Sequence, residues 1–226
     1  MSKQNALLLV GSPRESKSTS DVVGSYLLKK LDERGWQTKK GYVGQLIKSE
    51  ESRSILLDAL DKTDLIILSS PLYIDSLPSN TIRALQVIKQ HRRSCNNKPQ
   101  RLVAIINSGF PEAEQNYTAL QICRRFAIES GFEWLGGLPL GGGSGVDGKP
   151  LDKLGILFRK LIKSLNLSAD AINKGELIPE KAIRLMKDYP IMWLYFNILQ
   201  LGIKLLAKKG GVLDKIHDQP FKDLGW

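Results

Sequence analysis

Strand-like runs recur at Ala6 to Val10, Gln37 to Val43, Asp64 to Ser69, Leu102 to Asn107 and Phe132 to Leu140. Between them lie segments whose apolar residues return every three or four positions. The first such segment, Asp21 to Leu31, places Val22, Val23, Tyr26, Leu27, Leu28 and Leu31 at helical spacing. Strand and helix in alternation predict an α/β domain with a parallel sheet covered on both faces. The runs LIIL at 65–68 and LVAII at 102–106 are apolar at every position, as interior strands buried on two sides must be. Five strands in this rhythm predict a doubly wound parallel sheet of order 2-1-3-4-5, in which ligands sit beyond the C-terminal ends of the strands.

The loops on that edge carry the chemistry. After the first strand comes GSPRESKST, Gly11 to Thr19, which packs one glycine, four hydroxyl side chains, an arginine and a lysine into nine residues. It opens a helix, where free N–H groups and the positive end of the dipole favour a bound dianion, so a phosphate ester is the expected ligand. After the third strand, SSPLYIDSLP carries Pro71 and Pro78 around Tyr73 and Asp75, a stiff amphipathic loop. After the fourth, Asn107 to Gln115 holds Gly109 and Pro111 in a turn expected to expose backbone donors. Past the fifth strand, Gly141 to Gly148 reads GGGSGVDG, five glycines and a bend before the next helix. One phosphate loop and two stiff loops on one edge can enclose a flat ring.

The set GSPRESKST, PLYIDSLP and NSG, at these intervals, resembles the flavodoxin-like NAD(P)H-dependent FMN reductases over residues 5 to about 165. Relatives commonly end the first loop with Asn-Thr; here Ser18 precedes Thr19, which keeps a hydroxyl and loses an amide. The resemblance implies that FMN and NAD(P)H are the cofactors. Ser12, Arg14, Ser18 and Thr19, with Lys17, would hold the FMN phosphate. Pro71, Leu72, Tyr73 and Ile74 would flank the ring, and Asn107, Ser108 and Gly109 would meet its polar edge. The activity implied is electron transfer from NAD(P)H to a small acceptor such as a quinone or flavin. The alternative is a flavodoxin-like electron carrier or FMN-binding module without nicotinamide turnover. The protein's basic charge favours the reductase, since such carriers are usually acidic. No side chain is expected to act as acid or base, because the flavin itself performs the redox step.

Other readings of the same residues fit less well. Gly11, Ser16, Lys17 and Ser18 approach a nucleotide-triphosphate loop, yet the second glycine is a serine, and no aspartate ends a later apolar strand. A Gly-x-Ser-x-Gly elbow is absent from the sequence, and His91 and His217, the two histidines, read as surface positions. Glu112 and Glu114 read as the acidic start of a helix. Cys95 and Cys123 are far apart, without a CxxC pair, as expected of reduced thiols in a cytoplasmic protein and not of a metal cluster. The apolar segment before Gly11 is too short for a secretory signal core.

Composition is that of a soluble protein, 42% apolar and 25% charged, but the net charge is +10. The excess is marked in residues 149–226, where 14 Lys and Arg face 8 Asp and Glu. Scattered basic residues without an arginine-rich run argue against nucleic acid and for a phosphorylated cofactor or an anionic surface. Residues 1–165 read as the FMN-binding domain and 166–226 as a helical C-terminal extension. Within the extension, Asn197, Gln200, Lys204 and Lys208 form one polar stripe of a helix opposite Trp193, Leu194, Phe196, Leu199, Ile203 and Leu206. That apolar face needs cover. It is expected to serve a homodimer interface or to roof the flavin pocket, with peripheral membrane contact through 190–209 as a further expectation. The uncharged run 189–203 is 15 residues, short of the roughly 20 that a bilayer core requires.

Overall fold

The structure, a computed structural model, describes residues 3–94, 98–146, 148–188 and 192–218. A five-stranded parallel sheet has the order β2-β1-β3-β4-β5, with β1 at Asn5–Val10, β2 at Gln37–Tyr42, β3 at Leu65–Pro71, β4 at Gln100–Asn107 and β5 at Phe132–Leu140. This is the predicted strand order, and each strand falls within two residues of its predicted bounds. The helices are α1 (Thr19–Asp32), α2 (Val43–Leu46), α3 (Glu50–Asp61), α4 (Ser79–Ser94), α5 (Tyr117–Glu129), α6 (Arg159–Lys174), α7 (Glu180–Lys187) and α8 (Met192–Lys209).

Alternation along the strands sorts side chains to two cores. Leu7, Leu9, Ile66, Leu68, Leu102, Ala104 and Ile106 meet Leu56 and Leu60 of α3, Ala84, Leu85 and Ile88 of α4, and Cys123 and Phe126 of α5. On the other face α1 crosses β1, β3 and β4 so closely that a Cβ at Gly24 would lie 2.7 Å from Leu8. Alongside α1 runs α6, joined to the following loop by the Trp36 indole N–H donating to Asn173 at 2.9 Å and by the Arg34–Asp170 ion pair. Ser18 and Ser49 cap α1 and α3, each accepting from an N–H three residues on, the usual satisfaction of an orphan first-turn donor.

The outer strand β5 is closed by a device that periodicity does not reveal. Trp134 pairs with Leu102 and Gly136 with Val103, leaving Leu135 as the extra residue of a bulge. The Leu135 carbonyl accepts from the Ile178 N–H at 2.7 Å, and Gly136, at φ +143°, has Ile178 against it where a Cβ would stand. The segment leading into α7 thereby covers part of that edge. Arg92, beside His91 on a stretch expected to be solvated, is buried instead. It donates to the carbonyls of Ser130 at 2.6 Å and Gly131 at 3.0 Å and stacks 3.9 Å over Phe132, so burial lowers its pKa.

The chain divides into two compact units, Met1–Tyr189 and Pro190–Trp226. The first holds the sheet with α1 to α7. The second holds α8, which ends in a Schellman turn: Val212 N–H donates to Ala207 at 2.9 Å, Gly211 N–H to Lys208 at 3.2 Å, and Gly211 takes φ +68°. Side chains at 193, 194, 196 and 199, four of the six assigned to the apolar face, lie outside the described residues, as does Cys95. Among the described residues no helix is long and apolar enough to cross a membrane.

Candidate functional site

At the C-terminal ends of β1, β3 and β4 lies a cleft of about 420 Å³, lined by Ser12, Arg14, Ser18, Thr19, Ser20, Pro71, Leu72, Tyr73, Asn107, Ser108, Gly109, Gly143 and Ser144. Ten of the twelve residues singled out in the sequence therefore meet in one place. Lys17 does not line the cleft; its backbone carbonyl packs against Gly148. Ile74 does not line it either and is 99% exposed. Ser20, Gly143 and Ser144 join the site without having been singled out. The GGGSG run was visible as a bend after β5, but only the fold shows that it turns back over the first loop.

The first loop leaves β1 where the sheet admits no side chain. A Cβ on Gly11 would stand 2.5 Å from Thr81 Oγ1 and 2.6 Å from Ser70 Oγ, and the Thr81 hydroxyl donates to the Gly11 carbonyl at 3.1 Å. The chain then folds into a short 3-10 turn at Glu15–Lys17, with Glu15 at φ +48°, a left-handed value that costs a non-glycine residue roughly 1 kcal/mol or more. Ser12 Oγ accepts the Arg14 N–H at 3.3 Å, and Ser18 Oγ donates to the Glu15 carbonyl at 2.6 Å while capping Asp21. Thr19 Oγ1 donates to the Gly143 carbonyl at 2.7 Å. Both hydroxyl hydrogens expected to point at a phosphate are thus spent inside the protein, one shaping the loop and the other joining it to the glycine loop. Helix geometry leaves the first-turn N–H groups of Thr19 and Ser20 without intrahelical acceptors.

Asn107 works as a tie between loops. Its side-chain amide donates to Ser20 Oγ at 2.7 Å and to the Ser70 carbonyl at 3.0 Å, and its backbone carbonyl accepts from Leu72 N–H at 2.8 Å. Ser108 N–H, expected to be exposed, donates to the Leu140 carbonyl at 3.0 Å, and Ser108 in turn accepts from Gly143 N–H at 2.8 Å. Buried Asn116 reinforces that junction by donating to the Leu140 carbonyl at 3.1 Å. A Cβ on Gly141 would fall 2.1 Å from the Pro111 carbonyl oxygen, so the loops after β4 and β5 touch backbone to backbone.

The loop after β3 forms a two-residue hairpin turn. Tyr73 and Ser76 exchange backbone hydrogen bonds of 2.8 and 3.0 Å, with Ile74 at φ +45° and Asp75 at φ +56° between them. Two positive φ values define a type I′ turn, which favours Asn and Gly and is strained for a β-branched isoleucine. The turn holds half-exposed Tyr73 at the mouth of the cleft, and Phe110 is exposed on the loop after β4.

Charge around the start of α1 is partly balanced from β2. Asp21 accepts from Lys40 Nζ at 2.8 Å and from Tyr42 at 3.4 Å. Burial opposes the Lys40 charge, but the hydrogen bonds to Asp21 and Tyr42 outweigh it and hold the ammonium above its ordinary pKa. Asp21 is thereby paired with a cation from β2, and Arg14 is the cationic side chain that lines the cleft among the described residues. Its buried floor is made of serine, threonine and asparagine, and its outer wall of proline, leucine and tyrosine.

No family model matches the chain, and no curated protein matches it. Solved structures do. An NAD(P)H:quinone oxidoreductase from Methanothermobacter marburgensis superposes with a TM-score of 0.56 at 14% identity, over 76% of this chain and 100% of that one. A flavodoxin from the domain Archaea gives 0.51 at 8% identity, over 76% and 98%. Rubredoxin oxygen:oxidoreductase from Desulfovibrio gigas gives 0.55 at 12% identity over 77% of this chain, which spans 36% of that protein's length. Likeness at such identities is a likeness of fold, and the fold of this chain is the flavodoxin-like one.

Proposed function

We propose that the chain is an FMN-dependent oxidoreductase that passes electrons from NAD(P)H to a small acceptor such as a quinone or flavin. The observation that carries this reading is the two-sided cleft, with anion-binding groups at the start of α1 and an apolar wall at Pro71, Leu72 and Tyr73. The donor set suits a phosphate ester joined to a flat heterocycle. Ser12 Oγ, the Arg14 guanidinium and the first-turn N–H groups of α1 would take the phosphate, aided by the helix dipole. Ser18 and Thr19 would serve it at one remove, by holding the loop in shape. The apolar wall would cover one face of the ring, and Asn107, Ser108, Gly109 and Ser144 would meet its polar edge. Bound FMN supplies the redox chemistry, accepting a hydride and delivering electrons onward. The chain's own part is to bind, orient and shield, and no acid or base of the protein is needed. The name of the quinone oxidoreductase that shares the fold supports the same reading.

An absorption spectrum of the purified protein, before and after incubation with FMN, tests the first half. Bound flavin is expected, and failure to retain or take up FMN overturns the assignment. Steady-state oxidation of NADPH and NADH with a benzoquinone acceptor tests the second half. Turnover supports the reductase, and bound FMN without turnover makes the protein an electron carrier.

A further inference from the structure

The unit Pro190–Trp226 presents apolar side chains that its own fold leaves uncovered. Along α8 and the turn after it, Leu201, Ile203, Leu205, Leu206, Val212 and Leu213 are between 43% and 71% exposed, whereas Ala207 is buried. At 100° per residue, Leu201, Leu205, Leu206 and Ile203 sweep about 200° of the helix circumference. Asn197, Gln200, Lys204 and Lys208 occupy the remaining sector, also exposed, and run along the length of the helix. Lys209, in the last turn, falls within the apolar arc, and Lys215 lies beyond the helix. Among the described residues of this unit, none of Lys204, Lys208, Lys209 and Lys215 is paired with a carboxylate, and the acids are Asp214 and Asp218; Asp223 lies outside the described residues.

Length and charge select the occupant of this face. An 18-residue helix is about 27 Å long, near the thickness of a hydrocarbon core. A spanning helix keeps its polar groups at its ends; here they form a lengthwise stripe, the arrangement of a helix lying flat with lysine stems reaching up to the head groups. Two copies meeting through this face would bury the Lys209 ammonium in the seam, whereas at a membrane its stem can carry it up to the head groups. An anionic surface meets the apolar arc and the lysine flank together. We propose that α8 docks in the interface of a membrane rich in anionic lipid, its Leu201–Leu205–Leu206 face turned into the acyl boundary. This inference is independent of what the cleft binds.

Co-sedimentation of the full chain with phosphatidylcholine vesicles, alone or mixed with an equal part of phosphatidylglycerol, tests it. Strong binding is expected to the mixed vesicles only, weakening as salt is raised. Lys204→Gln, Lys208→Gln and Lys209→Gln combined should lower the partition coefficient by about 100-fold, at about fivefold for each lysine near an anionic surface. Leu201→Glu with Leu205→Glu should abolish binding. All five positions are exposed, and an unchanged circular dichroism spectrum and melting temperature will show that the variants fold. No binding to the mixed vesicles, or binding that survives the leucine changes, overturns the proposal. So does a dimer in sedimentation velocity that the leucine changes dissociate while vesicle binding is absent, which assigns the face to a second copy.

Discussion

Thr19→Val separates a residue that shapes the cleft from one that holds its ligand. The exchange keeps the volume of the side chain and removes one buried bond, Thr19 Oγ1 to the Gly143 carbonyl at 2.7 Å, which joins positions 124 residues apart in sequence. A neutral hydrogen bond contributes about 1 kcal/mol net, and a buried acceptor left unpaired costs about 1–3 kcal/mol. A loss of about 2 kcal/mol is therefore expected, equal to a fall in Tm of about 4–8 °C for a chain of this size. Urea titration followed by circular dichroism, without added flavin, measures it. Flavin fluorescence quenching then gives the FMN affinity of the folded variant, expected within about threefold of the parent because the hydroxyl hydrogen is already spent on a carbonyl. The opposite pattern, stability kept within about 0.5 kcal/mol and FMN affinity reduced tenfold or more, would refute the reasoning and return Thr19 to the phosphate.

Arg14→Ala should weaken FMN binding by about tenfold, the low end for a charge-assisted contact because Arg14 is exposed; unchanged affinity by fluorescence titration removes it from the phosphate site. Burial raises the Cys123 thiol to about 12, so in a Cys95→Ser background iodoacetamide should modify Cys123 only in urea, and labelling of the native protein would contradict its burial. Burial of Asp64 opposes its charge, but hydrogen bonds from the Asn5 N–H and Lys98 prevail and lower its pKa. The stability this carboxylate adds is full above its unfolded pKa of about 3.9 and disappears as pH falls through the lower folded value. Asp64→Asn should accordingly be less stable than the parent at neutral pH in urea melts, with the gap closing below about pH 4, and a gap independent of pH would exclude the ionic contribution. Asp75→Gly places glycine at a position with φ +56° and should raise stability by about 0.5–1 kcal/mol; a loss would show that the Asp75 side chain compensates for its backbone.

Much of this architecture is legible along the chain because an interior strand has no choice of composition. LIIL and LVAII are buried on two faces and must be apolar throughout, so β3 and β4 announce themselves, and the βα rhythm carries the strand order. The residues of the cleft are legible as a set, since glycine, hydroxyl and cation crowd into one loop at a strand end. What each hydroxyl does is not. Ser18 and Thr19 look like ligand donors until the Glu15 and Gly143 carbonyls are seen within reach, and the second of these partners lies far along the chain. Arg92 illustrates the same limit. Its neighbours suggest a wet helix face, but Phe132 and the Ser130 carbonyl arrive from β5 and from the end of α5. The bulge at Leu135 is a third instance, because the N–H that satisfies its carbonyl comes from Ile178.

The backbone contacts at Gly11 and Gly141 have a consequence for how such a site can diverge. At neither position can a methyl group be added without striking Thr81, Ser70 or the Pro111 carbonyl, so the base of the cleft is closed to gradual change. The rim is open, since Ile74 and Phe110 stand in solvent at 99% and 65% exposure and Tyr73 at 50%. A substitution at any of these three exposed positions meets little steric resistance and can alter what approaches from outside, while the seat beneath stays as it is.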